Sequence, residues 1–475
     1  MRNMNDNNAL HTVASALGAA LIAASAMAAG DAEPPRRIFA ETEAQRAQRI
    51  AWWTHDRFGM FIHFGLYAVP GRHEWVKSRE GMTDREYDRY LPRFNPDLYD
   101  AREWARAAKA AGMKYAVLTA KHHEGFCMWD TKTTDYKITS TKFGRDVVRE
   151  FLDAFRAEGL RVGLYYSIID WRHPDFTVDR RYPALQCLPL GTDIEAVAAK
   201  ANEGRDMARY RKYMFAQVEE ILTKYGTIDI LWFDYVAKSE TLGKTWRDYD
   251  SVELIKLARR LQPKCIVDSR LDLMETDDGW DFVTPEQVKA AEWPTVRGRR
   301  VPWETCQTFS GSWGYNRDEA TWKSVPQLIE LLSETVSKGG NLIMNVGPTA
   351  RGTFDARAMD RLEGFAKWMR YNSRSIYGCT VAPEGFAAPN GTALTYNPEA
   401  KTLYVHLYDY PMGFLPLDFV DKVQYAQFLH DGSELLLRRP VAHSGGQSGD
   451  TKPVGGVSLP ILKPDVVVPV VELFL

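Results

Sequence analysis

Asp234 ends a mostly apolar run, Ile228-Asp229-Ile230-Leu231-Trp232-Phe233, whose β-branched and aromatic residues read as a buried strand. A carboxylate there must be desolvated, paired or used, because an unpaired buried charge is expensive. Parallel α/β folds place chemistry at the carboxyl ends of their strands, which makes Asp234 the first candidate for a catalytic carboxylate. The competing structural readings are a cap for the next helix or a partner for a nearby arginine. Polar and aromatic residues recur at the ends of other apolar runs. They are His63, followed by His73-Glu74-Trp75; Lys121-His122-His123-Glu124; Tyr165-Tyr166-Ser167; and Asp268-Ser269-Arg270. Each histidine alone reads as a satisfied, partly buried side chain. His63, His122 and His123 at two strand ends point instead to neutral imidazoles exchanging hydrogen bonds with hydroxyl groups. Adjacent side chains of an extended segment diverge, and no HxH or HExxH spacing supports joint coordination, so His122 and His123 are not expected to share a metal ion.

These residues need a scaffold that brings strand ends together. Apolar runs at 57–64, 115–120, 161–167, 228–234, 265–270 and 341–346 read as strands, with shorter ones at 281–284 and 305–309. Amphipathic stretches at 101–112, 146–159, 207–225, 252–261, 325–337 and 356–371 read as helices. The alternation, about eight strand–helix units, predicts an α/β fold, a (β/α)8-type TIM barrel over residues 36–378. An open doubly wound sheet is the structural rival, but no GxGxxG or GxxxxGK[ST] loop supports nucleotide binding in one. From 379 to 475 the runs become short and are punctuated by Gly, Pro, Asn and Asp, which predicts a small antiparallel β-sandwich. A chain of 475 residues is too long for one ordinary core, in keeping with two domains.

A net charge of −2 gives no electrostatic argument for nucleic acid or an anionic membrane. The 14 tryptophans are a weak hint of sugar binding, since indoles platform sugar rings but also fill cores. At the N-terminus, Arg2, the small-residue apolar stretch 13–24 and Ala26-Met27-Ala28 read as a bacterial secretory signal over 1–29. Cleavage is expected near Ala28, giving a secreted or periplasmic protein. The stretch is too short and alanine-rich for a membrane span, and no later segment reads as one. The five cysteines, Cys127, Cys187, Cys265, Cys306 and Cys379, are odd in number and lack CxxC spacing, so neither a disulfide framework nor a zinc site is indicated. Cys127, Cys265 and Cys306 read as buried small hydrophobes, and Cys187, in a Pro-rich loop, as a residue able to pair with another.

The chain resembles the α-L-fucosidases of glycoside hydrolase family 29. The matching segments are RFGMFIHFGLYAVP (57–70) with HEW (73–75), KYAVLTAKHHEGFCMWDTKTTDY (114–136) and GLYYSIIDW (163–171). ILWFDY (230–235), WETCQTFSGSWGYN (303–316) and VSKGGNLIMNVGP (336–348) follow in family order, so the set spans nearly the whole expected barrel. The C-terminal region fits the family only by position and texture.

The resemblance implies retaining hydrolysis of terminal α-L-fucose on fucosylated oligosaccharides or glycoconjugates, without metal or organic cofactor. In such a double displacement one carboxylate attacks the anomeric carbon and a second carboxyl group acts as acid, then base. Asp234 takes the nucleophile position, with Arg270 as a cationic partner. Three glutamates compete for the acid/base role: Glu286, in the favoured place, then Glu304 and Glu292. The resemblance further implies that His63, Glu74, Trp75, His122, His123, Tyr165 and Arg270 contact the sugar. Trp313, Trp232 and Phe64 are candidates for an aromatic surface against the C5 methyl group, and Trp232 could equally be core. At His63-Phe64-Gly65 the family commonly has tryptophan in the middle, and phenylalanine is expected to keep the aromatic wall. Two rivals remain: the same machinery on a related α-glycoside such as an α-galactoside, and a carbohydrate-binding protein without catalysis.

Overall fold

The protein is described by a computed structural model covering residues 33–234, 241–440 and 454–475, so the signal expected at 1–29 lies outside the described residues. The first element is helix α1 (Glu43–Asp56), started by a capping box between Thr42 and Gln45. The parallel strands follow: β1 (Phe58–Ile62), β2 (Tyr115–Lys121), β3 (Arg161–Ser167), β4 (Ile230–Asp234), β5 (Ile266–Val267), β6 (Glu304–Thr308) and β7 (Asn341–Val346). They form one curled sheet in the order β5-β4-β3-β2-β1-β7-β6. Strands β1, β2 and β4 are buried on both faces, which is why they read as nearly continuous apolar runs rather than alternating ones.

The segment 281–284 closes the barrel. It is joined to β5 by the Asp268–Phe282 bridge and to the start of β6 by the Val283–Trp303 bridge. Helices α2 (Ala101–Ala110), α3 (Val147–Ala157), α4 (Met207–Thr223), α5 (Ser251–Leu261), α6 (Val325–Ser337) and α7 (Ala356–Asn372) cover the outside. Regular alternation does not hold throughout. Among the described residues no helix follows β5 or the closing segment, and a two-stranded hairpin at 295–300 occupies the second gap.

Two hydrophobic layers result. Outward-facing strand residues such as Met60, Ile62 and Leu118 pack under the helices. Inward-facing residues, including Phe61, Tyr115, Val117, Ile230 and Ile343, fill the barrel together with Ile50 and Trp53 of α1. Helix α1 thus plugs the N-terminal mouth. Trp53 packs on Phe282 at 4.7 Å between ring centroids, and Asn341 Nδ2 donates to the Trp53 carbonyl at 2.7 Å. The C-terminal mouth is left open.

The C-terminal region forms a five-stranded and a three-stranded antiparallel sheet, the larger built on Thr402–Leu407 and Val470–Phe474. The last strand starts at Val470 rather than 466. The larger sheet braces the barrel's helices: Trp368 Nε1 donates to the Val468 carbonyl at 3.1 Å, and Tyr408 Oη lies 2.9 Å from Ser333 Oγ. All five cysteines are free, so Cys187 does not pair; it is exposed, while the other thiols are buried. No described helix is long and apolar enough to cross a membrane.

Candidate active site

The open mouth holds a cavity of about 650 Å³. Asp234, the last residue of β4, reaches it because the strand's side chains alternate: Trp232 and Asp234 face inward and Phe233 outward. Tyr165, inward on neighbouring β3, donates from its hydroxyl to Asp234 Oδ2 at 2.8 Å. Arg270 donates from Nη1 to Asp234 Oδ1 at 2.8 Å and from Nη2 to Glu286 Oε2 at 2.9 Å. One guanidinium therefore holds both carboxylates. It is fixed by a 2.9 Å bond from its Nε to Thr284 Oγ1 and lies 4.6 Å from the ring centre of Trp232. Burial pushes the Asp234 carboxyl above its ordinary range; the Arg270 charge pulls it back, the Glu286 charge adds to the rise, and the Tyr165 bond opposes it. Asp234 sits deep, whereas the Glu286 side chain is 44 % exposed at the rim.

His63 and His123 are held as neutral, oriented imidazoles. Asn345 donates through Nδ2 to the Trp313 carbonyl at 2.6 Å, so its Oδ1, 2.6 Å from His63 Nδ1, accepts the proton there. Ser167 donates to the Ile169 carbonyl at 2.9 Å, so it accepts from His123 Nδ1 at 2.7 Å. Both Nε2 atoms are then acceptors. Burial drives the His63 and His123 pKa values well below the ordinary histidine value, with nearby positive groups adding to the effect. His123 Nε2 lies 3.7 Å from Asp234 Oδ2, and two acceptors at that spacing suit a hydroxyl donor placed between them.

Glu74 presents a further buried carboxylate to the cavity. Its Oε2 accepts from the Trp313 and Gly314 amides at 3.1 and 2.8 Å, and burial raises its pKa. His73 Nδ1 accepts from the Trp75 amide at 3.1 Å, and burial lowers its pKa to about 3. Aromatic walls come from Phe61, Trp75, Trp232 and Trp313, the last tilted over His63 at 5.1 Å.

The structure brings Asp234, Glu286, His63, Glu74, Trp75, His122, His123, Tyr165, Arg270 and Trp313 to this one cavity. Several expectations need correction. The His122 and His123 rings do not diverge; their centroids are 4.1 Å apart, because the chain turns as soon as β2 ends at Lys121. Phe64 is no wall of the site. It is fully buried on the outer face against Phe94 and Trp104, since Phe61 and His63 take the inward positions. Trp232 both fills the barrel and lines the cavity. Glu304 points into the barrel below the site, where the Tyr115 hydroxyl donates to it, and burial raises its pKa to about 7. Glu292 is exposed and outside the cavity lining. Among the described residues no cluster of three or more His, Cys, Asp or Glu is arranged to hold a metal ion.

Sequence reasoning missed Asn345, Phe61 and Cys306. The first two were legible, Asn345 as a polar residue inside the run NLIMNV and Phe61 as the inward neighbour of His63 by period two. Cys306 lines the cavity as a buried thiol on β6.

The profile of the alpha-L-fucosidase family matches residues 25–374. Isoenzyme 1 of the alpha-L-fucosidase from Paenibacillus thiaminolyticus is 41% identical with a TM-score of 0.81, covering 90% of this chain and 99% of its own. An alpha-L-fucosidase of Bacteroides thetaiotaomicron, trapped as a covalent intermediate with 2-fluoro-fucosyl fluoride, is 26% identical with a TM-score of 0.74, covering 93% and 99%. Human plasma alpha-L-fucosidase is 28% identical over 400 residues, 77% of each chain. The chain thus belongs to the alpha-L-fucosidase family and is a glycosidase.

Proposed function

We propose that the protein is a retaining exo-glycosidase that removes terminal α-L-fucose from fucosylated oligosaccharides or glycoconjugates. The observation that carries this reading is the pairing of a deep carboxylate with a rim carboxylate on one guanidinium. Asp234 attacks the anomeric carbon as Glu286 gives its proton to the departing glycosidic oxygen, leaving a covalent fucosyl-enzyme and a free aglycone alcohol. Glu286 then takes a proton from water, which attacks the same carbon and releases fucose with Asp234 restored. A protonated Glu286 no longer needs the Arg270 bond, so Arg270 serves Asp234 during the first step. His63, His123 and Glu74 accept from sugar hydroxyls, and a wrong epimer leaves those buried acceptors unpaired, which gives sharp selectivity. His122, Trp75 and Trp313 complete the sugar site, with Trp313, Phe61 and Trp232 as the apolar surface for the C5 methyl group. Residues 36–378 form the catalytic unit and 379–475 its brace. The secretory signal at 1–29 directs the enzyme out of the cytoplasm, which sequencing of the mature N-terminus checks.

The test is release of 4-nitrophenol from the α-L-fucoside, beside the α-galactoside and the Asp234→Ala variant. Turnover of the fucoside alone, lost in the variant by on the order of 10⁴-fold, is expected. Turnover of the galactoside instead, or a variant as active as the parent, overturns the reading.

A further inference from the structure

Strand β5 stops after two residues, and the side chain that follows takes over its work. Leu231 pairs with Val267 in register. Further along β4, the Phe233 amide donates not to a backbone carbonyl but to Asp268 Oδ1, at 3.1 Å. On the other edge of β4 the Asp234 carbonyl accepts from the Ile168 amide at 2.6 Å. The backbone that carries the nucleophile is therefore pinned from both sides, once by a neighbouring main chain and once by a carboxyl group.

Asp268 does not itself line the cavity. It is 0 % exposed and bridges through its backbone to Phe282 in the barrel wall. Its Oδ2 has no hydrogen-bond partner among the described residues. Ionising a carboxyl group so deep in the wall is costly. Burial accordingly raises its pKa well above the ordinary range, against the pull of Arg270.

We propose that Asp268 is a positioning residue for the first displacement: its Oδ1 holds the Phe233 amide and so sets the angle at which Asp234 meets the anomeric carbon. The inference rests on Asp234 being the nucleophile. An amide oxygen can do the same holding, so Asp268→Asn is the conservative variant and Asp268→Ala removes the acceptor.

The experiment has two arms. Without substrate, hydrogen exchange is followed in the peptide containing Phe233, in the wild-type chain and both variants. Faster exchange in Asp268→Ala and wild-type exchange in Asp268→Asn is expected; equal exchange in all three overturns the proposal. With substrate, kcat and KM on 4-nitrophenyl α-L-fucoside are compared with the rate of covalent labelling by 2-fluoro-fucosyl fluoride. Misplacing the attacking oxygen should lower kcat and the labelling rate in Asp268→Ala by roughly 10–100-fold, with KM within about threefold and both rates restored in Asp268→Asn. Wild-type rates in Asp268→Ala, or an equal loss in Asp268→Asn, overturn it. If Asp268→Ala does not fold, Asp268→Glu replaces it, since its longer side chain displaces the acceptor; wild-type rates there overturn the proposal. A wild-type chain that neither turns over the fucoside nor takes the label refutes the fucosidase reading instead, and the exchange arm still decides the contact.

Discussion

Arg270 sets the terms on which the two carboxylates work. Its charge offsets the cost of burying an ionised Asp234, and it holds Glu286 at the rim. As the proposed nucleophile Asp234 must be ionised to attack, so kcat/KM is expected to fall as pH drops through its pKa. Because burial raises that pKa, the acid limb is expected above about pH 4, where an exposed aspartate titrates. Tyr165→Phe removes a donor to the charged form and should move the limb to higher pH; a pH–rate profile that stays put would remove Tyr165 from the electrostatics of the nucleophile. The acid/base assignment has its own signature. Glu286→Ala should slow turnover of a fucosylated oligosaccharide by about 10²–10⁴-fold, and slow the 4-nitrophenyl substrate, with its better leaving group, much less. Glu292→Ala should change neither, and an oligosaccharide-specific loss there would transfer the role.

At the scale of the element, period-two alternation decides which aromatic faces the cavity. Phe61 and His63 face inward from β1, and Phe64 goes to the outer core with Ile62. Phe64→Ala should therefore cost about 3–5 kcal/mol of stability, measured by denaturant unfolding, and leave KM unchanged. Phe61→Ala should raise KM. The outward Phe64 was readable from its neighbours' parity, but the family pattern around His63 drew it into the site. The six long apolar runs were legible because strands buried on both faces leave a continuous hydrophobic signal. Between Arg270 and Glu304 only the short run 281–284 was legible, because the wall there is closed by single bridges, with neither a long ladder nor a helix to impose a period. Helix α1 also escaped notice: its Ile50 and Trp53 plug a barrel mouth, a tertiary role that a short amphipathic stretch does not announce. The residues that line the cavity were largely readable, because polar groups at strand ends interrupt apolar runs with residues a core would reject.

For the whole molecule, the barrel interior is a plugged column with polar groups at its lower end and the candidate site at its upper end. Glu304 is a buried carboxyl group within that column, beside Tyr115 and the indoles of Trp53 and Trp232. Its pKa, raised to about 7, means the folded state binds a proton that the unfolded chain releases near pH 4.5. The associated stability is complete below about pH 4.5 and is lost as pH rises toward 7, an effect of about 3 kcal/mol. Glu304→Gln should flatten this dependence, gaining on the wild type between pH 5 and pH 8 in thermal unfolding. A constant difference across that range would mean that Glu304 is ionised throughout. The larger C-terminal sheet meets the helices through Trp368 and Tyr408, on the outside of the barrel, so it supports the scaffold without entering the site. The division between a catalytic mouth and a braced exterior makes the identity of the nucleophile the most consequential single fact about the molecule. Labelling with 2-fluoro-fucosyl fluoride, followed by peptide mapping by mass spectrometry, measures it directly. A fucosyl adduct on the peptide containing Asp234, at that residue, is the expected result. An adduct on Glu286 or any other carboxylate, or an active enzyme that forms no adduct and releases fucose with inverted configuration, would contradict it.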